Sequence, residues 1–493
     1  MTSSDSSFHF QQAALLSLDV LAREFGGARP QLFKGALTFV LRIVETRHPA
    51  VLTAALLATS TLITALGVRL VPHISVVVPA LIRVLEESVA PIRPNKEELG
   101  VALAWIDGCG MSLLGTLSLF IHPYLPQMLR PILRLTALAT SPAVAECAAA
   151  TGTKGGAADL GCGATALGDQ VTAISKVIAN AVPSRQLLPV LAEVVGSVSQ
   201  AGAPALVHLL GLLQTHLALD PEGCALDSER ALCFQILFHA FSHRELRAHG
   251  SIPVEAAASA CLTQLVARLN DAAFATFWGR ALGWAFPAAA AGEGKPDDVP
   301  SHARALTFFR IFHGTQTLLQ TLFTPYFAEV LPHALALLPS ERHEAEQYRA
   351  LTRAILVFVE LGMLHGGTVP ERELRTLEKA LVASLGFSEL RALEASLLAC
   401  LGALIGALGP DGSPALHHAL CMATRSERLE QRLGALRGLA RIYDTLGNSA
   451  LSLAPEAMPF LSEMLEDGDQ DIRAEALSLM RTNEFKMVQC DES

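Results

Sequence analysis

The chain has 493 residues, of which 51% are hydrophobic and only 17% charged, with a net charge of -10. That much apolar content fills a core larger than one compact domain holds, so several domains or an elongated array is expected. The acidic balance argues against a protein that coats nucleic acid by charge alone, and with aromatics at 6% the apolar content rests on Leu and Ala, which favours helices.

The first residues, Met1-Thr2-Ser3-Ser4-Asp5, are polar, and no basic segment precedes an apolar run, so no signal peptide is read. Residues 10–25 place Ala14, Leu18, Leu21 and Phe25 on one helical face, and Gly26-Gly27 stops that helix. Helices over about 30–45, 49–67 and 72–88 follow as antiparallel pairs. Two uncharged stretches, 49–68 and 108–129, are long enough to suggest a membrane span. The first contains Thr53, Thr59, Ser60, Thr61 and Thr64, the second Gly110, Gly115, His122, Pro123 and Pro126. Both read better as buried helices of a packed array.

A proline signature recurs. It appears as Pro72 with Pro79, as Ile121-His122-Pro123-Tyr124-Leu125-Pro126, as Pro183 with Pro189, and as Thr324-Pro325-Tyr326-Phe327 with Pro332. Each precedes a Leu/Val-rich run, and proline suits a first helical turn because the early N–H groups there have no internal partner. These prolines mark where the second helix of each pair begins. Three stretches interrupt the pattern. Residues 139–168, rich in Ala, Gly, Ser and Thr, read as a poorly ordered insertion; 288–300 reads as a loop and 409–414 as a short turn. The chain is therefore divided into N-terminal repeats (1–138), the insertion (139–168), middle repeats (169–287), the loop (288–300) and C-terminal repeats (301–493).

Near the C-terminus, Arg432-Leu433-Gly434-Ala435-Leu436 aligns with Arg473-Ala474-Glu475-Ala476-Leu477 at an offset of 41 residues, and Arg391 lies a further 41 upstream in a weaker match. Asp469-Gln470-Asp471-Ile472-Arg473 has the look of the first helix of a HEAT repeat. A period of ~40–47 residues built of helix pairs is the mark of HEAT or armadillo arrays. One pair cannot bury its own apolar face, whereas stacked pairs can. The fold class is all-α, a HEAT/armadillo-type α-solenoid of stacked antiparallel helix pairs. Residues 453–467 show the pattern best: Pro455 opens a helix with Met458, Leu461 and Leu465 as an apolar stripe, widened by Phe460 and Met464. Glu456, Glu463, Glu466 and Asp467 are left to face water.

Candidate chemistry is sparse. His239 and His243 are four apart, but Ala240 stands where a zinc protease needs Glu. His417-His418 has no carboxylate or Cys at ligand spacing, so both pairs read as structural or surface histidines. Gly152-Thr153-Lys154-Gly155-Gly156 lacks the spacing and the leading strand of a phosphate loop, and no Gly-x-Ser-x-Gly elbow occurs. The cluster Glu463, Glu466, Asp467, Asp469 and Asp471 fails the offsets of an EF-hand and reads as a helix end and turn. Arg342, Arg349, Arg353, Arg372 and Arg375 are interleaved with Glu341, Glu344, Glu346, Glu371 and Glu373, a salt-bridged face more than an RNA track. The nine cysteines form no CxxC pair and read as reduced core residues of an intracellular protein. No catalytic, cofactor-binding or metal residue is assigned, which leaves a scaffold or interaction protein.

The order of several motifs carries a resemblance. Pro455-Glu456-Ala457-Met458-Pro459-Phe460-Leu461-Ser462-Glu463-Met464-Leu465-Glu466-Asp467 resembles the near-terminal motif of the HEAT repeat-containing protein 1 family, also called U3 small nucleolar RNA-associated protein 10. Ile121-His122-Pro123-Tyr124-Leu125, Arg185-Gln186-Leu187-Leu188-Pro189, Phe277-Trp278-Gly279-Arg280-Ala281-Leu282-Gly283-Trp284-Ala285 and Leu306-Thr307-Phe308-Phe309 are similar to family segments in the same order. The residues 139–168 and the tail 481–493 have no counterpart. The resemblance implies the C-terminal portion of a longer protein. It further implies a non-enzymatic structural role in the nucleolar small-subunit processome, supporting pre-rRNA processing and small-subunit (18S-type) rRNA maturation, with a link to rRNA transcription. The implied partners are processome proteins and the U3 small nucleolar RNA/pre-rRNA particle, with no membrane and no cofactor. The alternative is a HEAT-type nuclear transport receptor or other protein-binding adaptor; a multi-span membrane protein is a third reading.

Overall fold

A computed structural model describes residues 3–90, 96–139, 157–220, 226–243, 252–287, 301–338, 348–365, 369–386 and 393–491. Among these residues every regular element is helical and no strand occurs. The chain separates into two compact units, Met1–Glu245 with Ser251–Leu269, and Leu246–Gly250 with Asn270–Ser493. Each is built as an α-solenoid of antiparallel helix pairs.

In the first unit, Ser3–Phe25, Pro49–Leu66, Met111–Ile121, Ala157–Ala181, Ala203–Leu219 and Ile252–Val266 form one layer, each packing on the next. Lys34–Thr46, Ile74–Val89, Leu125–Ala139, Ser184–Ala201 and Asp227–Phe241 form the second layer in the same way. The core lies between the layers. Leu56, Leu62 and Ile63 of the first layer and Val77, Val78, Leu81 and Leu85 of the second are all fully buried. At ~1.5–3 kcal/mol for each such side chain, stacking supplies what an isolated pair lacks.

Second-layer helices are entered through prolines, as expected, but by way of a tight turn. Pro30 opens the 3-10 turn Pro30–Phe33, Pro72 lies in Gly67–His73 and Pro123 in His122–Tyr124, while Pro183 caps Ser184–Ala201. The helix expected from Pro72 therefore begins at Ile74. Gly67, with φ at 53°, ends Pro49–Leu66, and Gly447, with φ at 55°, ends Leu429–Leu446 in the second unit. Only glycine takes that left-handed region without a Cβ penalty.

The uncharged stretches lie within the described residues. The most apolar 18-residue windows of Pro49–Val89, Glu97–Ala137 and Glu394–Gly412 have mean hydropathies of 2.0, 1.4 and 1.4, so three helical stretches are long and apolar enough to cross a membrane by length and composition. The most apolar window of Pro49–Val89 is 61% buried among other helices, and the stretch is broken by the Gly67–His73 turn. Glu97–Ala137 is broken twice, by a π-turn at Trp105–Gly110 and by His122–Tyr124. The π-turn swings Trp105 inward, where its Nε1 donates to the Leu81 carbonyl at 2.8 Å.

Of the expected insertion, residues 140–156 lie outside the described residues, and Ala157–Ala181 is one helix that begins inside it. The expected loop 288–300 also lies outside them. The turn at 409–414 is a kink, with Gly409 at φ 65° near the end of Glu394–Gly412 and Pro414–Ala423 following directly.

In the second unit, Ser301–Leu319, Arg349–Leu364, Glu394–Gly412, Leu429–Leu446 and Gln470–Asp491 stack as the first layer. Thr324–Ala336, Glu371–Ser384, Pro414–Ala423 and Ala454–Leu465 form the second. Arg432 and Arg473 thus sit on consecutive first-layer helices, which accounts for their spacing. Trp278 is an aromatic hub here. Its ring lies 5.2–5.5 Å from those of Phe308, Phe312, Phe323 and Tyr326, and its Nε1 donates to Glu329 at 2.8 Å.

Candidate functional site

The Ala454–Leu465 helix buries Ala454, Ala457, Leu461 and Met464, a stripe turned slightly from the one expected, with Met458, Phe460 and Leu465 half-buried beside it. At the edge, the Arg425 guanidinium lies 4.4 Å over the Phe460 ring. Glu456, Glu463 and Glu466 are exposed, as expected, and Asp467 is half-buried, but three of these four acids are also paired. Glu463 takes Arg425 in a two-pronged pair at 2.5 and 2.8 Å. Asp467 takes Arg432 at 2.9 Å. Glu456 receives His417 at 3.1 Å and His418 at 2.7 Å. Glu456 and Glu463 thus bind bases on or just past Pro414–Ala423 of the pair before, and Asp467, just past the helix end, binds Arg432 of its own pair.

These contacts set the electrostatics. The bond from His418, joined by that from His417, holds the Glu456 carboxyl below its usual range, and Arg425 does the same for Glu463. Burial works to raise Asp467, but the Asp469 N–H, Arg432 and Arg473 together hold it low. Asp469 caps the last helix by accepting from the N–H groups of Asp471 and Ile472 at 2.9 and 3.2 Å. The cluster is a helix end and turn, as the sequence suggested, but an ion-paired one.

His417 is fully buried. Its Nδ1 faces Glu456 and its Nε2 lies 3.1 Å from the Tyr443 hydroxyl. The neutral ring that fits donates from Nδ1 to the carboxylate and accepts at Nε2 from the tyrosine. Burial lowers its pKa despite the carboxylate beside it. Sequence spacing missed this cluster because Glu456 and Tyr443 are 39 and 26 residues away.

A second cluster was also missed. The Ser184 hydroxyl lies 2.9 Å from His216 Nε2 and 2.5 Å from Asp220 Oδ2, and His216 Nδ1 lies 2.8 Å from the Ala179 carbonyl. A serine nucleophile needs its carboxylate on the far ring nitrogen, to fix the tautomer and steady the imidazolium. Here a carbonyl takes that nitrogen and the carboxylate sits on the serine. Ser184 and His216 are buried. The trio clamps the start of Ser184–Ala201 to the end of Ala203–Leu219.

The remaining sequence candidates stay apart. His239 is exposed, whereas His243 is buried beyond the helix end with Nε2 3.1 Å from the Ser199 carbonyl. No grouping of three or more His, Cys, Asp or Glu suited to a metal occurs among the described residues. Cys109, Cys233, Cys261, Cys400 and Cys421 are buried and not disulfide-bonded, and burial pushes Cys109 and Cys421 up to about 12. Residues 152–156, Arg342 and Arg391 lie outside the described residues. Arg375 is paired with Glu378 at 2.9 Å and with Glu371 at 3.7 Å, in line with a salt-bridged face. One cleft of about 720 Å³ opens in the first unit between Ile74–Val89, Leu125–Ala139 and Ser184–Ala201, lined by Glu86, Arg130, Arg134 and Gln200. Arg130 is paired with Glu193 and Arg134 points at the Ala90 carbonyl, so both guanidiniums are already engaged.

Stacked pairs joined by inter-repeat ion pairs define a HEAT-type helical-repeat protein. Residues 225–367 match the BP28CT (NUC211) domain, the stretch that holds the Trp278 hub. The chain is homologous to U3 small nucleolar RNA-associated protein 10 and to HEAT repeat-containing protein 1 over most of its length, at low identity. It is 23% identical to the former from Schizosaccharomyces pombe over 62% of this chain and 18% of that protein. It is 21% identical to the latter from Homo sapiens over 94% of this chain and 21% of that protein. The chain thus spans about a fifth of the length of these relatives. Among solved structures, it is similar in fold to Kap121p bound to Pho4p, at a TM-score of 0.50 and 12% identity over 91% of this chain and 41% of that one. Importin13 in its cytosolic state gives 0.50 and 13%, over 94% of this chain and 58% of that one.

Proposed function

We propose that this chain is a non-enzymatic helical-repeat scaffold of the small-subunit processome. In this reading it supports nucleolar pre-rRNA processing and small-subunit rRNA maturation, with a contribution to rRNA transcription. Its partners are processome proteins and the U3 small nucleolar RNA/pre-rRNA particle. The observation that carries the reading is the co-linear likeness to HEAT repeat-containing protein 1 across 94% of the chain, together with the BP28CT match at residues 225–367. The polar clusters fit a scaffold in a second way, because each ties helix to helix.

The test is affinity purification of the tagged chain from cells, followed by RNA hybridisation and mass spectrometry. U3 small nucleolar RNA and processome proteins are expected in the eluate, and depletion of the chain should accumulate unprocessed small-subunit precursor. A chain found at the nuclear rim or in the cytoplasm, without that RNA, would refute the proposal. Likeness to the karyopherins at 12–13% identity concerns the fold alone, so it adds no weight to a transport-receptor reading.

A further inference from the structure

Three successive helix pairs of the first unit expose apolar side chains at the same place in the repeat. In the first, Leu32 of the Pro30–Phe33 turn is 70% exposed, with Phe39 beyond it at 64%. In the second, Val68 of the Gly67–His73 turn is 68% exposed, with Val76 at 61%. In the third, Leu119 and Phe120, just before the His122–Tyr124 turn, are 60% and 44% exposed.

These sites lie in a row. Lys34–Thr46 packs on Ile74–Val89, which packs on Leu125–Ala139. Arg47, past the end of the first helix, pairs with Glu87 near the end of the second, and Arg134 points at the Ala90 carbonyl just past it. The three helices therefore run parallel, and their opening turns stand side by side at the other end. The Gly67–His73 turn also packs against Met111–Ile121, which joins Val68 to the Leu119 end of the row. Helices pack ~10 Å apart, so the ridge is roughly 20 Å long, the reach of about six extended residues.

The charge around the ridge is mainly basic, with Glu24, exposed in the last turn of Ser3–Phe25, the nearest acid in sequence. Arg29 and Lys34 flank Leu32, Arg69 and His73 flank Val68, and His122 follows Phe120, all exposed. No Asp or Glu occurs in residues 26–44, 67–85 or 108–137, in a chain whose net charge is -10. Arg29, Lys34 and Arg69 form no ion pair among the described residues. Glu45, Glu86 and Glu87 sit at the opposite helix ends.

We propose that this ridge docks an acidic segment of another protein that carries Leu, Ile or Phe side chains, laid across the three repeats. An acidic chain supplies the missing countercharge, and its apolar side chains cover the exposed ones. The exposed groups are mostly aliphatic, and sequence-tolerant RNA binding draws on aromatic stacking, so a protein segment fits better than RNA.

The intact chain is to be panned against a random library of displayed peptides about twelve residues long, twice the ridge's reach. Enriched peptides are expected to combine Asp or Glu with Leu, Ile or Phe. Affinity of an enriched, fluorescently labelled peptide should fall about tenfold in Arg69→Glu and in Val68→Ser, and should weaken as salt is raised. Both positions are exposed, and circular dichroism confirms that the variants fold. Arg353→Glu, on the other unit, should bind as the parent does. Failure to enrich any peptide, enrichment without acidic residues, or affinity unchanged in either ridge variant overturns the proposal. So does binding of a uridine oligonucleotide or of phosphatidylserine vesicles that Arg69→Glu abolishes while peptide binding persists.

Discussion

Arg432 reaches forward from one helix pair to Asp467 of the turn that leads into the next, with Nε 2.9 Å from the carboxylate and both side chains largely buried. Arg473, its counterpart one repeat on, donates to the main-chain carbonyl of that same Asp467 at 2.5 Å. The arginine that recurs at the repeat's period thus meets its neighbour's on a single residue. Removing one partner of a buried pair leaves the other charge stranded. Arg432→Ala is expected to destabilise the C-terminal repeats by about 3 kcal/mol. Arg473→Ala, which removes a hydrogen bond from a charged group, should cost about 2 kcal/mol. Urea unfolding of both single variants and the double variant checks this, and strict additivity would refute the shared anchor.

Acidification should weaken the same region through His417. Burial holds its folded pKa below the ordinary value, so the neutral ring's contribution is full above ~6.5 and is lost as pH falls below that. Glu456 is lowered as well; its contribution holds above ~4.3 and fades only as pH falls further. Between these values the loss in the C-terminal repeats belongs to His417, while His208 of the first unit, also lowered by burial, adds its own. The urea midpoint of the parent should fall from pH 7.5 to 5, and His417→Gln should flatten that slope. Parallel profiles would count against the assignment.

Much of this fold was legible in the sequence, and the reason lies in particular residues. Pro72, Pro123 and Pro183 act locally, through their own ring and missing N–H, so their meaning survives without neighbours. The Arg432 and Arg473 spacing was readable because every repeat imposes it. The partners of Glu456 and Ser184 were not, because they are fixed by how one pair seats on the next, and no single helix carries that register. Phe460 shows the limit within one helix: its period placed it in the apolar stripe, but it lies half-buried at the edge, under Arg425 from the previous repeat.

Gly362 should tolerate no side chain. A Cβ there would stand 2.3 Å from the ring of Phe327, which is itself buried and cannot swing away. Gly362→Ala is expected to cost about 2–3 kcal/mol by overpacking. Adding Phe327→Leu should recover part of that loss. A thermal melt in which Gly362→Ala matches the parent would refute the close approach.

Buried thiols should be inert in the folded chain. With Cys109 and Cys421 pushed up to about 12, almost no thiolate exists at neutral pH. Peptide-resolved iodoacetamide labelling at pH 8 should leave both unmodified in buffer and modify both in urea. Labelling of either in the native protein would show that its helix opens.

The bonds that join the C-terminal repeats have a consequence for how the array came to be and how it comes apart. Arg432 to Asp467 spans 35 residues, Arg425 to Glu463 spans 38, and Arg437 to Glu394 spans 43. Each therefore reaches one neighbour and no further. Contacts of such short sequence separation let assembly start at any pair and spread like a zipper, with little loop entropy to overcome. The same locality confines the effect of a lost bond to the one junction that it spans.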